Sequence, residues 1–146
     1  AWRVPDHIVN LIPLHLQELI GCSGGFTVLR NLRFLDVCSG QARFSRWAMW
    51  AGIVGAAVDR IYSHCMDLNS DAGLALLIVL LCRVQPGELA LLQPLCSSWV
   101  WLCKSQTKKT LENPWGDLTN PNVVEGNTLN KRMALICVLA YELGVL

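Results

Sequence analysis

The chain has 146 residues and a net charge of +1, so it is long enough to bury a core as one domain and offers nucleic acid no overall electrostatic attraction. Hydrophobic residues make up 53% of the sequence and charged residues only 16%, which indicates either a core that is covered on both sides or a surface that is meant to be covered. The purest apolar run, residues 73–82, has ten residues. A membrane-spanning helix needs about 20, so we expect no membrane span.

The cysteines indicate the compartment. Seven cysteines are an odd number, no two of them form a CxxC pair, and none has a zinc-like spacing to a histidine. This pattern favours reduced thiols in an intracellular protein of the cytoplasm or nucleus over a disulfide framework. We therefore expect no metal site.

The first 25 residues are predicted to lead into the main domain. Apolar positions near helical spacing predict helix over Ala1–Gly21 with an interruption at Pro13, and the glycines that follow predict a flexible break. Residues 26–146 are then expected to form the main domain.

A strand, a turn and a helix come next. The apolar run Phe34–Val37 predicts the first strand, and the pattern of Gln41–Ala51 predicts a helix that follows a tight turn around Gly40. Ile53–Val58 predicts a second strand. Because both strands are apolar throughout, they are typical of a parallel sheet with helices on both faces, which is an α/β fold.

The rest of the chain continues this order. A helix is predicted from Asp71 to about Val84, closed by Pro86-Gly87, and a third strand over Glu88–Leu92. Residues 104–126 are predicted as a long loop, of the kind that is functional or disordered in compact domains.

The C-terminal residues predict one more helix and part of a strand. The helix is expected over Thr128–Leu143, and Val145-Leu146 is typical of the start of another strand. We therefore expect a sheet that is truncated at the C-terminus.

Three strand ends carry the candidate site. The carboxyl ends of parallel strands meet at one edge of a sheet, so we expect the segments 36–42, 59–60 and 93–99 to lie together. Asp59 follows Gly40 by 19 residues, a spacing at which an acid after the second strand binds a ribose diol in nucleotide-binding folds. The alternative is an exposed carboxylate paired with Arg60.

The turn itself limits the choice of nucleotide. A dinucleotide fingerprint needs three glycines, and this turn has only Gly40, with Cys38 and Ala42 near the other two places. NAD and FAD are therefore disfavoured.

Two segments resemble a known family. Leu35–Ser45 is similar to the opening motif of class I S-adenosylmethionine-dependent methyltransferases, and in particular of the cytosine carbon-5 DNA methyltransferases. Gln93–Trp99 resembles the proline-cysteine motif of the same DNA enzymes, whose cysteine attacks the pyrimidine ring. The segments Cys96–Trp99 and Asn113–Gly116 are also similar to segments of uncharacterised dinoflagellate proteins.

This resemblance implies a Rossmann-like three-layer sandwich with a mostly parallel sheet, S-adenosylmethionine as the cofactor and Cys96 as the catalytic nucleophile. The implied cofactor-binding residues are Asp36, Ser39, Gly40, Ala42, Phe44, Asp59 and Asp67. The implied methyl acceptor is cytosine in DNA, and the lysines of residues 104–116, beside aromatic side chains, offer a contact to nucleic acid.

Two departures from the family pattern leave alternatives open. The DNA enzymes have Pro-Pro-Cys where this chain has Pro94-Leu95-Cys96, and the pair Glu112-Asn113 comes earlier in the chain than the Glu-Asn pair of that family. Cys96 as a packed thiol is one alternative. A degenerate methyltransferase fold that binds protein or nucleic acid without catalysis is a second, and an inactive truncated fragment is a third.

Overall fold

The structure is a computed structural model that describes residues 1–22, 25–94 and 103–146. Residues His64–Met66 form a short 3₁₀ turn. In chain order the elements are β1 (Trp2–Arg3), α1 (Asp6–Leu11), α2 (Leu14–Ile20), β2 (Thr27–Val28), β3 (Leu32–Val37), α3 (Arg43–Trp50), β4 (Gly55–Val58), α4 (Asp71–Cys82), β5 (Val84–Leu92), α5 (Lys104–Thr107) and α6 (Pro121–Glu142).

A parallel sheet of three strands forms the centre of the described fold, in the order β4-β3-β5. Phe34 of β3 is paired with Gly55 on one side and with Leu89 on the other. The predicted α/β fold with a parallel sheet is confirmed at this level. The first strand of the sheet lies in the middle, so the chain leaves it towards one edge and returns to the other, as in doubly wound sheets.

Side chains of β3 contribute to apolar packing on both faces of the sheet. Leu35 and Val37 belong to a core cluster that also holds buried residues of α1, α2, α4 and α6. Phe34 lies on the opposite face, where its ring is 5.4 Å from the ring of Phe44 in α3 and nearly perpendicular to it. A Cβ on Gly55 would lie 2.2 Å from the Phe34 ring, so this position in β4 requires glycine.

The N-terminal helices pack into the same core. Pro13 separates α1 from α2, as predicted, and Ile8 and Leu16 of these helices are 1% and 0% exposed within the core cluster. A two-residue antiparallel pairing of β1 with β2 joins Trp2 to Val28. The first residues of the chain therefore contribute directly to the buried interior.

The boundary between α4 and β5 differs from the prediction. The Ser70 side chain caps α4 by accepting a hydrogen bond from the Gly73 amide, but the helix ends at Cys82 and β5 runs through Pro86-Gly87. The register with β3 shifts there: Leu32 is paired with Val84 and Phe34 with Leu89, so β5 has three extra residues between these two pairs. Proline, which has no amide hydrogen, is tolerated at such an irregularity.

The predicted loop over residues 104–126 is wrong at both ends. Helix α5 occupies Lys104–Thr107, and α6 begins at Pro121 instead of Thr128. The reason is the pair Asn120-Pro121: the Asn120 side chain accepts a hydrogen bond from the Asn122 amide at 3.0 Å, and proline suits the first helical position.

The segment between α5 and α6 is tied to both helices. Lys108 Nζ lies 2.9 Å from Asp117 Oδ2, Lys109 Nζ donates to Asn127 Oδ1 at 2.6 Å, and Asn127 Nδ2 donates to the Trp115 carbonyl at 2.8 Å. Hydrogen bonds from Thr119, together with Lys108, lower the pKa of Asp117 to about 2. Two of the three lysine side chains expected to face nucleic acid in this segment are therefore engaged within the protein.

Two features complete the fold. Leu146 bonds to β5 on the edge away from β3: its amide donates to the Glu88 carbonyl at 2.8 Å and its carbonyl accepts from the Ala90 amide at 2.7 Å. This pairing agrees with the strand start predicted at Val145-Leu146. Within residues 1–22, 25–94 and 103–146, none of the helices has both the length and the apolar character that crossing a bilayer requires.

Candidate functional site

The turn between β3 and α3 has an unusual backbone. Cys38, Gly40 and Ala42 have φ angles of 56°, 53° and 50°, so every second residue of this turn is left-handed. Cys38 and Ala42 stand near the places of the missing fingerprint glycines, and they adopt the conformation that favours glycine. Each carries a Cβ, and this costs about 1–2 kcal/mol per residue in that region.

Asp59 holds the middle of this turn. Its Oδ2 accepts a hydrogen bond from the Gly40 amide at 2.8 Å, and its Oδ1 accepts one from the Ile61 amide at 3.0 Å. The predicted proximity of Asp59 and Gly40 is therefore confirmed. Arg60, the alternative partner of Asp59, forms an ion pair with Glu125 of α6.

The space beside the Cα of Gly40 is open. A Cβ built at Gly40 would meet nothing within 4 Å. A ligand can therefore approach the peptide groups of Gly40 closely, which is the use that nucleotide-binding turns make of glycine.

Asp36 is a buried carboxylate at the end of β3. It is 1% exposed, its Oδ2 accepts a hydrogen bond from Ser45 Oγ at 2.6 Å, and its Oδ1 accepts one from Gln93 Nε2 at 3.0 Å. Both donors are neutral, and they come from α3 and from the residue that follows β5. Asp36 thereby connects the two chain segments that leave the carboxyl edge of the sheet.

The first of two clefts lies between the carboxyl ends of β3 and β5. Its volume is about 400 Å³. The lining residues are Asp36, Ser39, Gln41, Arg43, Phe44 and Gln93. In doubly wound sheets, ligands bind at the place where the connections diverge from the central strand, and this cleft has that position.

The second cleft lies on the β4 side of the same turn. Its volume is about 250 Å³. The lining residues are Cys38, Gly40, Asp59, Arg60, Ile61, Met66, Asp67, Leu68 and Leu129. Apolar side chains and two carboxylates meet here, a combination that suits a flat aromatic base joined to a group with hydroxyls.

The predicted cofactor residues thus divide between the clefts. Asp36, Ser39 and Phe44 line the first, whereas Gly40, Asp59 and Asp67 line the second. Ala42 lines neither and acts through the backbone, as the N-cap of α3. Asp67 also shapes the turn before α4, because its Oδ1 accepts the Asn69 amide at 2.9 Å.

The thiol within the site is unsuited to nucleophilic attack. Burial, followed by the nearby charge of Asp59, raises the pKa of Cys38 to about 11, and Arg60 opposes this rise only in part. Cys38 is therefore protonated at neutral pH. The predicted nucleophile, Cys96, lies outside the described residues, as do Trp99 and Trp101.

The structure adds the contacts of two residues, of which Gln93 lies in a predicted strand-end segment and Tyr62 does not. Gln93 bonds to Asp36, and its only signal was its place at the end of the third strand. Tyr62 donates its hydroxyl hydrogen to the Gly40 carbonyl at 2.6 Å and lies 2.9 Å from Ser39 Oγ. Tyr62 stands in a polar connector, where no periodic pattern marks it.

No group of three or more potential metal ligands occurs among the residues that the structure describes. No protein-family model, no curated protein and no solved structure matches the chain.

Proposed function

We propose that the chain is a Rossmann-like three-layer α/β domain that binds S-adenosylmethionine across the turn of residues 38–42 and acts as a methyltransferase. The observation that carries this proposal is the pair of clefts on either side of a turn whose central amide, that of Gly40, is bonded to Asp59. One extended ligand with a nucleoside at one end and an amino acid at the other fits two such adjoining clefts.

The second cleft suits the nucleoside. Each carboxylate oxygen of Asp59 accepts one backbone amide and has a further lone pair, so the two oxygens together can accept both hydroxyls of a ribose. Met66, Leu68 and Leu129 supply apolar surface for a base. In this arrangement Asp67 is the acceptor available to an exocyclic amine.

The first cleft suits the amino acid. The Asp36 carboxylate lies at its floor, and the two described side chains that donate to it, those of Ser45 and Gln93, are uncharged, so an ammonium group there would compensate its charge. The guanidinium of Arg43 lines the same cleft and offers a partner to a carboxylate. Ser39 and Phe44 complete the wall on the side of the turn.

S-adenosylmethionine supplies a methyl group on a sulfonium, which is transferred by in-line displacement. The protein mainly needs to align donor and acceptor, and the clefts at the edge of the sheet would do this. Gln93, which follows β5, lines the first cleft, and Cys96 follows Gln93 by three positions. In our proposal the thiolate of Cys96 would add to C6 of a cytosine ring in DNA, which makes C5 nucleophilic towards the methyl group of the sulfonium. Loss of the C5 proton to a base and cleavage of the bond between Cys96 and C6 would then restore the ring and the thiolate.

Cofactor binding is tested by calorimetric titration of the full chain with S-adenosylmethionine and S-adenosylhomocysteine, with NAD as the control ligand. We expect one site for both adenosyl compounds and none for NAD. Asp59→Asn should weaken binding about tenfold or more, the effect of losing one charge-assisted hydrogen bond, whereas Glu18→Gln on the exposed side of α2 should not change it. A folded chain that releases no heat at millimolar ligand would overturn the proposal.

The acceptor is tested with a tritiated methyl donor and unmethylated DNA, RNA or a protein mixture. We expect transfer to cytosine in DNA and its loss in Cys96→Ser. Transfer to another acceptor would leave the cofactor proposal intact and replace the DNA proposal.

A binding module without catalysis is the second candidate. Trp47 and Trp50 on α3 are 60% and 85% exposed, more than a structural role needs. A folded chain that binds neither adenosyl compound would favour this candidate over the methyltransferase.

A further inference from the structure

The backbone of the turn between β3 and α3 needs external support. Cys38 and Ala42 both hold left-handed conformations that their side chains disfavour. Helix α3 offers little help, because its N-cap Ala42 has no side chain that can accept from the first amides. Contacts from elsewhere in the chain must therefore fix the peptide groups around Gly40.

One short segment after β4 supplies these contacts on both sides of Gly40. Asp59 accepts from the Gly40 amide, and the Tyr62 hydroxyl donates to the Gly40 carbonyl at 2.6 Å. Because a phenol has a single hydrogen, the contact of 2.9 Å between Tyr62 and Ser39 Oγ must be donated by the serine. The result is a chain of hydrogen bonds from Ser39 through Tyr62 to Gly40.

The supporting segment is itself held in place. The Tyr62 amide donates to the Asp59 carbonyl at 3.1 Å, and the Ile61 amide donates to the Asp59 carboxylate. Asp59 and Tyr62 are thus two ends of one turn. The segment therefore holds the Gly40 amide through Asp59 and the Gly40 carbonyl through Tyr62.

Tyr62 also bridges the two clefts. Its partner Ser39 lines the first cleft, and its partner Gly40 lines the second. The hydroxyl therefore sets the relative orientation of two neighbouring residues that face different parts of the site.

We infer that Tyr62 is a positioning residue that aligns the two clefts into one binding site for a ligand that spans the turn. This inference rests on the proposed function. Its consequence is a selective one: a ligand that fills both clefts depends on the Tyr62 hydroxyl, whereas a ligand that fills only the second cleft does not.

The experiment compares S-adenosylhomocysteine, which spans the turn, with adenosine, which fills only the nucleoside cleft. Tyr62→Phe keeps the ring and removes the hydroxyl. We expect it to weaken S-adenosylhomocysteine about tenfold, the worth of one hydrogen bond, and to change adenosine less than about twofold. Ser39→Ala should show the same preference to a smaller degree, and Tyr141→Phe, at an 81% exposed position on α6, should affect neither ligand.

Equal losses of affinity for both ligands would indicate a purely structural role of Tyr62 and overturn the inference. Unchanged affinity for both ligands would overturn it too. Hydrogen exchange measured without ligand tests whether Tyr62 holds the turn, and it does so independently of the proposed function. Hydrogen exchange of the Gly40 amide should become faster in Tyr62→Phe and stay unchanged in Tyr141→Phe. If the wild-type chain binds neither ligand, the proposed function and the role of Tyr62 in aligning the clefts both fail, and the exchange rate alone decides whether Tyr62 holds the turn.

Discussion

Replacing Ala42 by glycine should stabilise the protein, because Ala42 has φ 50° and ψ 38° at the N-cap of α3. A Cβ in this region costs about 1–2 kcal/mol, whereas the additional freedom of glycine in the unfolded chain costs about 0.4–1 kcal/mol. The difference lies between about zero and 1.6 kcal/mol, with a centre of about 0.8 kcal/mol in favour of the variant. For a chain of this length, that gain raises Tm by about 2–3 °C.

The assay is urea denaturation together with scanning calorimetry, and the other end of the same helix provides the control. Ala51 is exposed and has φ −76° and ψ 6°, which any residue adopts. Ala51→Gly should therefore lower the free energy of unfolding by about 0.4–1 kcal/mol. If Ala42→Gly destabilises the protein as much as Ala51→Gly does, the turn is not left-handed at Ala42, and the argument for its strain is refuted.

Three further predictions concern the surroundings of the site. Gly55→Ala places a Cβ 2.2 Å from the Phe34 ring and should lower the free energy of unfolding by about 1–3 kcal/mol; an unchanged urea midpoint would contradict the packing of Phe34 on β4. Ser45→Ala removes a donor from the buried Asp36 and should cost about 1.5–3 kcal/mol, whereas Ser105→Ala on exposed α5 should stay within about 0.5 kcal/mol of wild type. The pKa of Cys38 is raised to about 11 in the folded state, so the thiol loses its proton at lower pH in the unfolded chain. The free energy of unfolding should therefore fall as pH rises from the unfolded pKa of the thiol towards 11. Mass spectrometry after brief iodoacetamide treatment at pH 8 should find exposed Cys65 alkylated faster than partly buried Cys38, and equal labelling would contradict the raised pKa of Cys38.

The central strands and the turn could be predicted because their signals are local. The apolar run of β3, the small residues after it and the apolar run of β4 follow one another directly in the sequence, and a βα unit leaves few alternatives for their arrangement. The contact of Asp59 with Gly40 follows from the same arrangement, since neighbouring parallel strands bring their carboxyl ends to one edge.

The errors arose where tertiary pairing overrides a local signal. Pro86-Gly87 marks a helix end by local rules, yet pairing with β3 carries β5 through it at a shift of register. In α6, Asn127 has the polarity of a loop residue, but it is 5% exposed and bonds to Lys109 and to the Trp115 carbonyl. These partners are distant in sequence, so the N-cap signal of Asn120-Pro121 was the only local indication of the true start of the helix.

The contacts of two site residues could not be predicted for a related reason. Gln93 and Tyr62 act through single hydrogen bonds to Asp36 and Gly40, across 57 and 22 positions of sequence. Glutamine and tyrosine do not by their type predict such partners, whereas an acid that follows a strand predicts a contact with the neighbouring turn. The sequence therefore indicates where a nucleotide would lie but not what supports the turn that would hold it.

The most direct test of the central claim is a nuclear magnetic resonance titration of the isotopically labelled chain with S-adenosylhomocysteine. Resonances of both clefts, among them the Gly40 amide and the Gln93 side-chain amide, should shift together with one dissociation constant, while the resonances of α1 and α2 stay in place. An absence of shifts at millimolar ligand, or shifts confined to residues outside the two clefts, would contradict a methyl-donor site at this turn.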